Sequence, residues 1–192
     1  MTGRTHDLAA LTALGAVVLV WPPESVTLGT ALLAVLANQL GGIAPDIDQP
    51  TAPFWRNLPS TKFVGRIFSK LSGGHRFLSH SILGLIGFGF LFKLLLTVLH
   101  PILPTIDITL VWYAFMIGMV SHLVMDMFTK EGVPLLLPVP FKFGLPPVRK
   151  FRVTTGKVVE AAVIFPALIG INIWLYASHY TEIMTLLHQN LH

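Results

Sequence analysis

A histidine and an aspartate, His122 and Asp126, lie four residues apart in an apolar stretch of the chain. A helix turns by about 100° per residue, so both side chains share one face and can reach the same atom. Ionisable groups at the end of such a helix are costly unless something pairs with them. A divalent metal satisfies a neutral imidazole and a carboxylate together. The pair alone is equally compatible with a buried hydrogen bond that only holds helices together.

Other residues of metal-binding types flank the remaining apolar stretches: His6, Asp46, Asp48, His75, His80 and Glu160. Each has a structural alternative. His75 and Arg76 could simply be a solvated pair in a basic loop, and Glu160 could pair with Lys157 or favour a helix N-terminus. The two aspartates suit a turn after a helix, although an extended Asp-x-Asp segment would put both carboxylates on one side. Ser79 and Ser81 suit helix caps, which would leave His80 merely interfacial. Because every apolar stretch contributes such a group at the same end, the sequence predicts a metal site there.

The composition places these residues in a membrane protein. Of the 192 residues, 53% are hydrophobic and 11% are charged, whereas soluble domains average roughly 25% charged residues. The length suits one domain, residues 1–192. The chain contains no cysteine, which excludes disulfides, thiolate metal sites and a cysteine nucleophile.

Five apolar segments are predicted as helices, at residues 8–21, 26–43, 81–99, 108–127 and 158–177. Crossing a bilayer takes about 20 apolar residues. The last three segments meet that length, and the second is close to it. The first has only 14 residues and ends at Pro22 and Pro23. We therefore predict an all-α, polytopic membrane bundle of about five helices, with the metal-ligand residues converging on one interface.

Positive charge is strongly segregated along the chain. Of the 13 Lys and Arg residues, all but Lys93 lie in the N-terminal residues or in the two long connections, 44–79 and 129–157. If every segment crosses the membrane, all of these cations face one side, and the positive-inside rule makes that side the cytoplasm. We therefore expect a multi-pass protein of the inner membrane whose site faces the cytoplasm. Docking of a monotopic bundle on anionic lipid is the alternative.

Three motifs resemble the YdjM family of membrane-bound, metal-dependent hydrolases. They are the Pro-Asp-Ile-Asp run at 45–48, the Gly-His-Arg-x-x-Ser-His-Ser run at 74–81, and the run from Ser121 to Pro138 that contains Ser-His-x-x-x-Asp. Their order and spacing match along most of the chain, from His6 to about Glu160. The family is related to zinc-dependent phospholipases C and single-strand-specific zinc nucleases, which are all-helical phosphoesterases.

The resemblance implies a particular set of metal ligands: His6, Asp46, His75 or His80, His122, Asp126 and Glu160. The chain departs from the related patterns at five positions, namely Met1, Gln49, Phe77, Lys130 and Gly156. Met1 stands where the phospholipases have an N-terminal tryptophan, and Gly156 where they have a histidine four residues before the last carboxylate. The resemblance therefore implies one or two metal ions rather than three, with zinc expected and manganese as the alternative.

The expected activity is hydrolysis of a phosphoester by a metal-activated water. Asp126 or Asp46 could bridge two metals and orient that water, and the guanidinium of Arg76 could bind a phosphate oxygen. A phospholipid headgroup is the expected substrate, because the site would lie at headgroup depth. Nucleic acid is a weaker expectation, since the basic loops lack a series of aromatic residues for stacking. The alternative class is non-enzymatic: a metal-stabilised membrane scaffold or a metal transporter.

Overall fold

The protein is described by a computed structural model that covers residues 1–49, 78–139 and 141–190, leaving aside the side chains of residues 186, 187, 189 and 190. Six α-helices occur in these ranges: α1 (Gly3–Val20), α2 (Leu28–Ile43), α3 (Ile82–Leu99), α4 (Ile108–Met127), α5 (Phe165–Ser178) and α6 (Tyr180–Asn190). A 3₁₀ turn, Ala44–Asp48, follows α2, and a π-helical turn, Glu160–Ile164, leads into α5. Apart from two isolated β-bridges, the described chain has no strand, which confirms the all-α prediction.

Within the described residues, five helical stretches are long and apolar enough to cross a membrane: Gly3–Val20, Leu28–Asp48, Ile82–Ile102, Ile108–Met127 and Glu160–Ser178. They are 18 to 21 residues long, with mean hydropathies of 1.2 to 2.4. The predicted number is confirmed. The first helix is longer than its apolar segment, because it begins at Gly3 and includes the buried Thr5 and His6. These polar residues turn into the bundle, so they extend the helix without facing lipid.

The bundle is apolar outside and partly polar inside. Ile86 and Phe90 on α3 are 61% and 67% exposed, and no residue of α5 is buried. Exposed apolar surface on this scale marks a membrane or protein interface. The largest fully buried side chains include three histidines, a glutamate and an asparagine. This distribution suits helices whose outer faces contact lipid and whose polar groups meet in the interior.

Helix α4 packs against α1, α2 and α3, and glycines bring it closest to α2. A Cβ atom on Gly118 would lie 2.1 Å from the carbonyl oxygen of Asn38, and one on Gly41 would lie 2.0 Å from that of Phe115. Small residues let membrane helices approach this closely. The amide of Asn38 donates a hydrogen bond of 3.1 Å to the carbonyl of Ala114 across the same contact. The contact sets the positions of α2 and α4 relative to each other.

Replacement of Gly118 tests this contact. We expect Gly118→Ala to lower the free energy of unfolding by about 1–3 kcal/mol, the usual cost of overpacking, because the new methyl group meets backbone rather than a flexible side chain. The matched control is Gly87→Ala in α3, where a Cβ would meet nothing within 4 Å. Thermal unfolding in detergent micelles compares the two variants. If the two variants unfold at the same midpoint temperature, the close approach of α2 and α4 is not required for stability.

Candidate metal centre

Five of the predicted ligand residues come together at one end of the bundle. They are His6 from α1, Asp46 from the 3₁₀ turn, His80 from the residues before α3, and His122 and Asp126 from the last two turns of α4. The histidines and Asp126 are at most 1% exposed. The side chain of Asp46 is 23% exposed, so it forms the accessible edge of this cluster.

Two imidazole nitrogens face two carboxylates within this cluster. His80 Nε2 lies 3.7 Å from Asp46 Oδ1 and 3.5 Å from Asp126 Oδ2. His122 Nε2 lies 3.7 Å and 3.9 Å from the same two oxygens. A tetrahedral zinc ion with bonds of about 2.0–2.1 Å keeps its ligand atoms roughly 3.4 Å apart. The four atoms therefore surround a space that a small contraction would fit to such an ion.

The orientation of His122 is set by a backbone carbonyl. Its Nδ1 lies 2.6 Å from the carbonyl oxygen of Gly42. A carbonyl can only accept, so Nδ1 carries the hydrogen, and in the neutral ring the lone pair is on Nε2. That Nε2 is buried and makes no hydrogen bond within the described part of the chain. Buried polar atoms are normally satisfied, and a metal ion fits this position because it would accept the lone pair.

The orientation of His80 depends on Ser79 and Asp48. The hydroxyl of Ser79 donates a short hydrogen bond to Asp48 Oδ2, and it lies 2.9 Å from His80 Nδ1. Since the hydroxyl hydrogen is used on Asp48, the oxygen accepts from Nδ1–H, which leaves the lone pair of His80 on Nε2. Partners of this kind orient metal-binding histidines and raise their basicity. Ser81, by contrast, caps α3 by accepting from the amide of Gly84.

Asp48 therefore lies behind His80 and not among the facing ligand atoms. The extended segment that would put Asp46 and Asp48 on one side does not form, because residues 44–48 make a 3₁₀ turn. With about three residues per turn, side chains two positions apart point in different directions. Asp46 faces the two imidazoles, while Asp48 is fully buried against Ser79.

A second group of atoms adjoins the first. His6 Nε2 lies 3.3 Å from Asp126 Oδ1, and the Met1 amino nitrogen lies 3.0 Å from this Nε2 and 2.5 Å from this Oδ1. The ring of His6 stacks on that of His122 with the centroids 3.7 Å apart. The two oxygens of Asp126 thus face different groups, Oδ2 toward His80 and His122 and Oδ1 toward His6. The Met1 amino group contacts both His6 Nε2 and Asp126 Oδ1, so these two atoms hold the N-terminus in the cluster.

Glu160 also lies outside the cluster of facing ligand atoms. Its Oε1 accepts hydrogen bonds from the Thr2 amide at 2.6 Å and from the hydroxyls of Thr2 and Thr5 at 2.8 Å and 2.7 Å. Its Oε2 accepts from the amide of Gly156 at 2.7 Å. A carboxylate at a helix N-terminus is electrostatically favourable. Glu160 thereby anchors the start of α1 and positions His6 one turn further on.

The structure describes neither His75 nor Arg76, and the proposed roles of both remain predictions from the sequence. His100 and His179 follow α3 and α5 at the end of the bundle away from the cluster.

Sequence reasoning missed the positioning roles of Thr2, Thr5, Ser79 and the Gly42 carbonyl. Of these, Ser79 could have been noticed in the sequence, because its hydroxyl is next to the candidate ligand His80. A helix-capping role explained that serine equally well.

The model of a known family, described as YdjM inner membrane protein, matches residues 1–187 of the chain. The chain belongs to the YdjM family. This YdjM-family protein is also 27% identical over 165 residues to the uncharacterized protein YvsG of Bacillus subtilis (strain 168), a match that covers 85% of this chain and 88% of YvsG. No solved structure matches the chain significantly. The family and the five apolar helices make it an inner membrane protein.

Proposed function

We propose that this YdjM-family protein is a metal-dependent hydrolase that acts on a phosphoester at the cytoplasmic face of the inner membrane. The observation that supports this best is the arrangement of His80 and His122. Each has its Nδ1 tethered and its Nε2 directed at the carboxylates of Asp46 and Asp126. Two imidazoles and two carboxylates are typical zinc ligands, and manganese accepts the same types.

The accessibility of the cluster favours catalysis over a scaffold. Structural zinc sites are closed by four protein ligands, whereas catalytic sites keep a position for water or substrate. Although four side chains face the proposed metal position here, its edge at Asp46 is accessible, so a water or substrate oxygen could approach the ion from that side as a further ligand. When bound, a divalent ion would lower the pKa of a coordinated water to near 7. The carboxylate of Asp46, at the accessible edge, would accept a hydrogen bond from that water and orient it.

The surroundings of the cluster favour an anionic substrate. The connection between α4 and α5 begins beside Asp126 and carries exposed or half-buried cations on the same end of the bundle: Lys130, Lys142, Arg149, Lys150, Arg152 and Lys157. Such a field raises the local concentration of anions. The cluster lies at helix ends, not halfway across the bilayer, which suits a lipid headgroup better than a transported ion.

A substrate panel tests the proposed activity. We expect the purified protein, loaded with zinc or manganese, to hydrolyse a phosphomonoester or phosphodiester, and we expect chelation or Asp126→Asn to abolish this activity. The control variant is His179→Ala, which lies outside the cluster. Release of product from chromogenic and lipid phosphoesters measures the rate. Full metal loading without any hydrolysis would favour the scaffold over the enzyme.

Cysteine labelling tests the proposed orientation, and the cysteine-free chain provides an unlabelled background. Thr154 lies on the cluster end and Ser178 at the far end of α5, and both are exposed. In intact cells, Ser178→Cys should react with a membrane-impermeant maleimide, because the positive-inside rule puts the basic connections in the cytoplasm. Thr154→Cys should react only after permeabilisation. The reverse pattern would put the cluster on the outer side.

A further inference from the structure

An apolar pocket of about 230 Å³ lies between α2 and α3, beside the turn that carries Asp46. Its lining includes Leu40 and Ile43 from α2, Ile47 from the turn, and Phe88, Leu91 and Leu95 from α3. Ile47 directly follows Asp46, the most exposed of the clustered ligand residues. The same short turn therefore forms both the accessible edge of the cluster and one end of the pocket.

The pocket extends from the cluster toward the middle of the membrane. Ser81 caps α3 immediately after His80, and Phe88 and Leu95 follow it by seven and fourteen residues. At 1.5 Å per residue these positions lie roughly 10 Å and 21 Å further along the helix. A lipid in the same leaflet would have its phosphate near the level of the cluster and its hydrocarbon chain at the depth of the pocket.

The rim of the pocket is continuous with the lipid-facing surface. Leu40, Leu91 and Leu95 are 43%, 60% and 49% exposed although they also line the pocket. They lie on membrane-spanning helices, so a hydrocarbon chain can enter sideways without leaving the bilayer. The pocket is open to the membrane, and it adjoins a cluster that could bind a phosphate headgroup. Both features favour a lipid chain as the occupant.

We propose that this pocket, the acyl pocket, holds one acyl chain of a lipid whose phosphate headgroup reaches the cluster. This inference rests on the proposed function and names its substrate class, a membrane lipid with a phosphoester headgroup. A chain in the bilayer is already out of water, so the pocket adds little hydrophobic free energy. Its contribution is orientation, because a chain held there places the headgroup against Asp46 and lowers the entropy cost of reaction.

Two residues one turn apart on α3 offer a way to fill the acyl pocket. The double variant, Leu91→Trp combined with Leu95→Trp, adds bulk at the rim of the pocket. Because both positions are exposed, this variant should fold. Leu94→Trp is the matched control, since Leu94 lies on the same helix and is 52% exposed but does not line the pocket. Circular dichroism and gel filtration of all three proteins compare helix content and oligomeric mass.

Photo-crosslinking tests whether a lipid chain occupies the acyl pocket, independently of any hydrolase activity. The protein is placed in vesicles of phosphatidylethanolamine and phosphatidylglycerol that contain a phosphatidylglycerol with a diazirine on its acyl chain. We expect adducts, located by mass spectrometry, to concentrate on the peptides of Leu40 and Leu91 and to fall about tenfold in the double variant but not in Leu94→Trp. Adducts spread evenly over all lipid-facing helices would overturn the proposal. So would a change of oligomeric mass in the double variant alone, which would assign the pocket to a second copy.

A rate comparison separates failure of this inference from failure of the proposed function. We expect the double variant to hydrolyse phosphatidylglycerol about tenfold more slowly than wild type, but bis(p-nitrophenyl) phosphate, which has no acyl chain, at the same rate. An equal effect on both substrates, or on neither, would contradict a chain-binding pocket. If wild-type protein hydrolyses neither substrate while the adducts still concentrate in the pocket, the hydrolase proposal fails and the lipid-binding pocket stands.

Discussion

His122→Ala and Asp126→Ala are each expected to lower the affinity for zinc by more than about 100-fold, because each removes an atom that faces the proposed metal position. Changes to outer partners of metal ligands cost about 10–100-fold, so loss of a direct ligand should exceed that range. Asp126→Ala should have the larger effect, since its two oxygens face both groups of the cluster. Metal content after purification and a zinc titration with a competing chelator measure the loss.

His100→Ala and His179→Ala are the controls for this experiment. Both histidines lie at the opposite end of the bundle, so their removal should leave metal content and affinity at wild-type values. Circular dichroism verifies that all four variants keep their helix content. Equal metal retention in the two pairs of variants would show that the cluster around His122 does not bind the ion.

Asp48→Ala is expected to keep the metal but to weaken its binding about 10–100-fold, the cost of losing an outer partner. The carboxylate of Asp48 accepts the hydrogen of Ser79, and this leaves the serine oxygen to accept from His80 Nδ1. Without Asp48 the hydroxyl can turn and donate to His80, which favours the wrong tautomer. Zinc titration of wild type, Asp48→Ala and Asp46→Ala measures the order of their zinc affinities.

Asp46→Ala provides the contrast, because this carboxylate faces His80 and His122 directly. It should lose more affinity than Asp48→Ala, although the two residues are only two positions apart. Asp48→Asn should retain most of the affinity, since an amide oxygen still accepts from the Ser79 hydroxyl. If Asp48→Ala loses as much metal as Asp46→Ala, then Asp48 is itself a ligand.

The membrane character and the helix number could be predicted from the sequence because both depend on local properties. Four of the five apolar runs reach or approach the thickness of a bilayer, which leaves little alternative to helices, since backbone groups in lipid must be satisfied within the segment. The juxtaposition of His122 and Asp126 is equally local, because a four-residue spacing on a helix brings two side chains to one face. These predictions needed no knowledge of neighbouring elements.

The distinction between facing atoms and positioning partners required the tertiary structure. Asp46 and Asp48 have the same chemistry and nearly the same position in the chain, and only the 3₁₀ turn separates their directions. Glu160 is a carboxylate near the cluster end, yet its oxygens are taken by Thr2, Thr5 and Gly156. No periodicity in the sequence encodes these partners, which lie far away along the chain.

The register between α2 and α4 is the other feature that the sequence alone did not determine. Gly41 and Gly118 allow the two backbones to meet, and this contact carries the carbonyl of Gly42 to within 2.6 Å of His122 Nδ1. That carbonyl selects the tautomer and directs Nε2 into the cluster. Local sequence determined the helices and the types of side chain at their ends. The packing of one backbone against another decided which atoms those side chains present, because a carbonyl 80 residues away in the chain sets the hydrogen position on the ring.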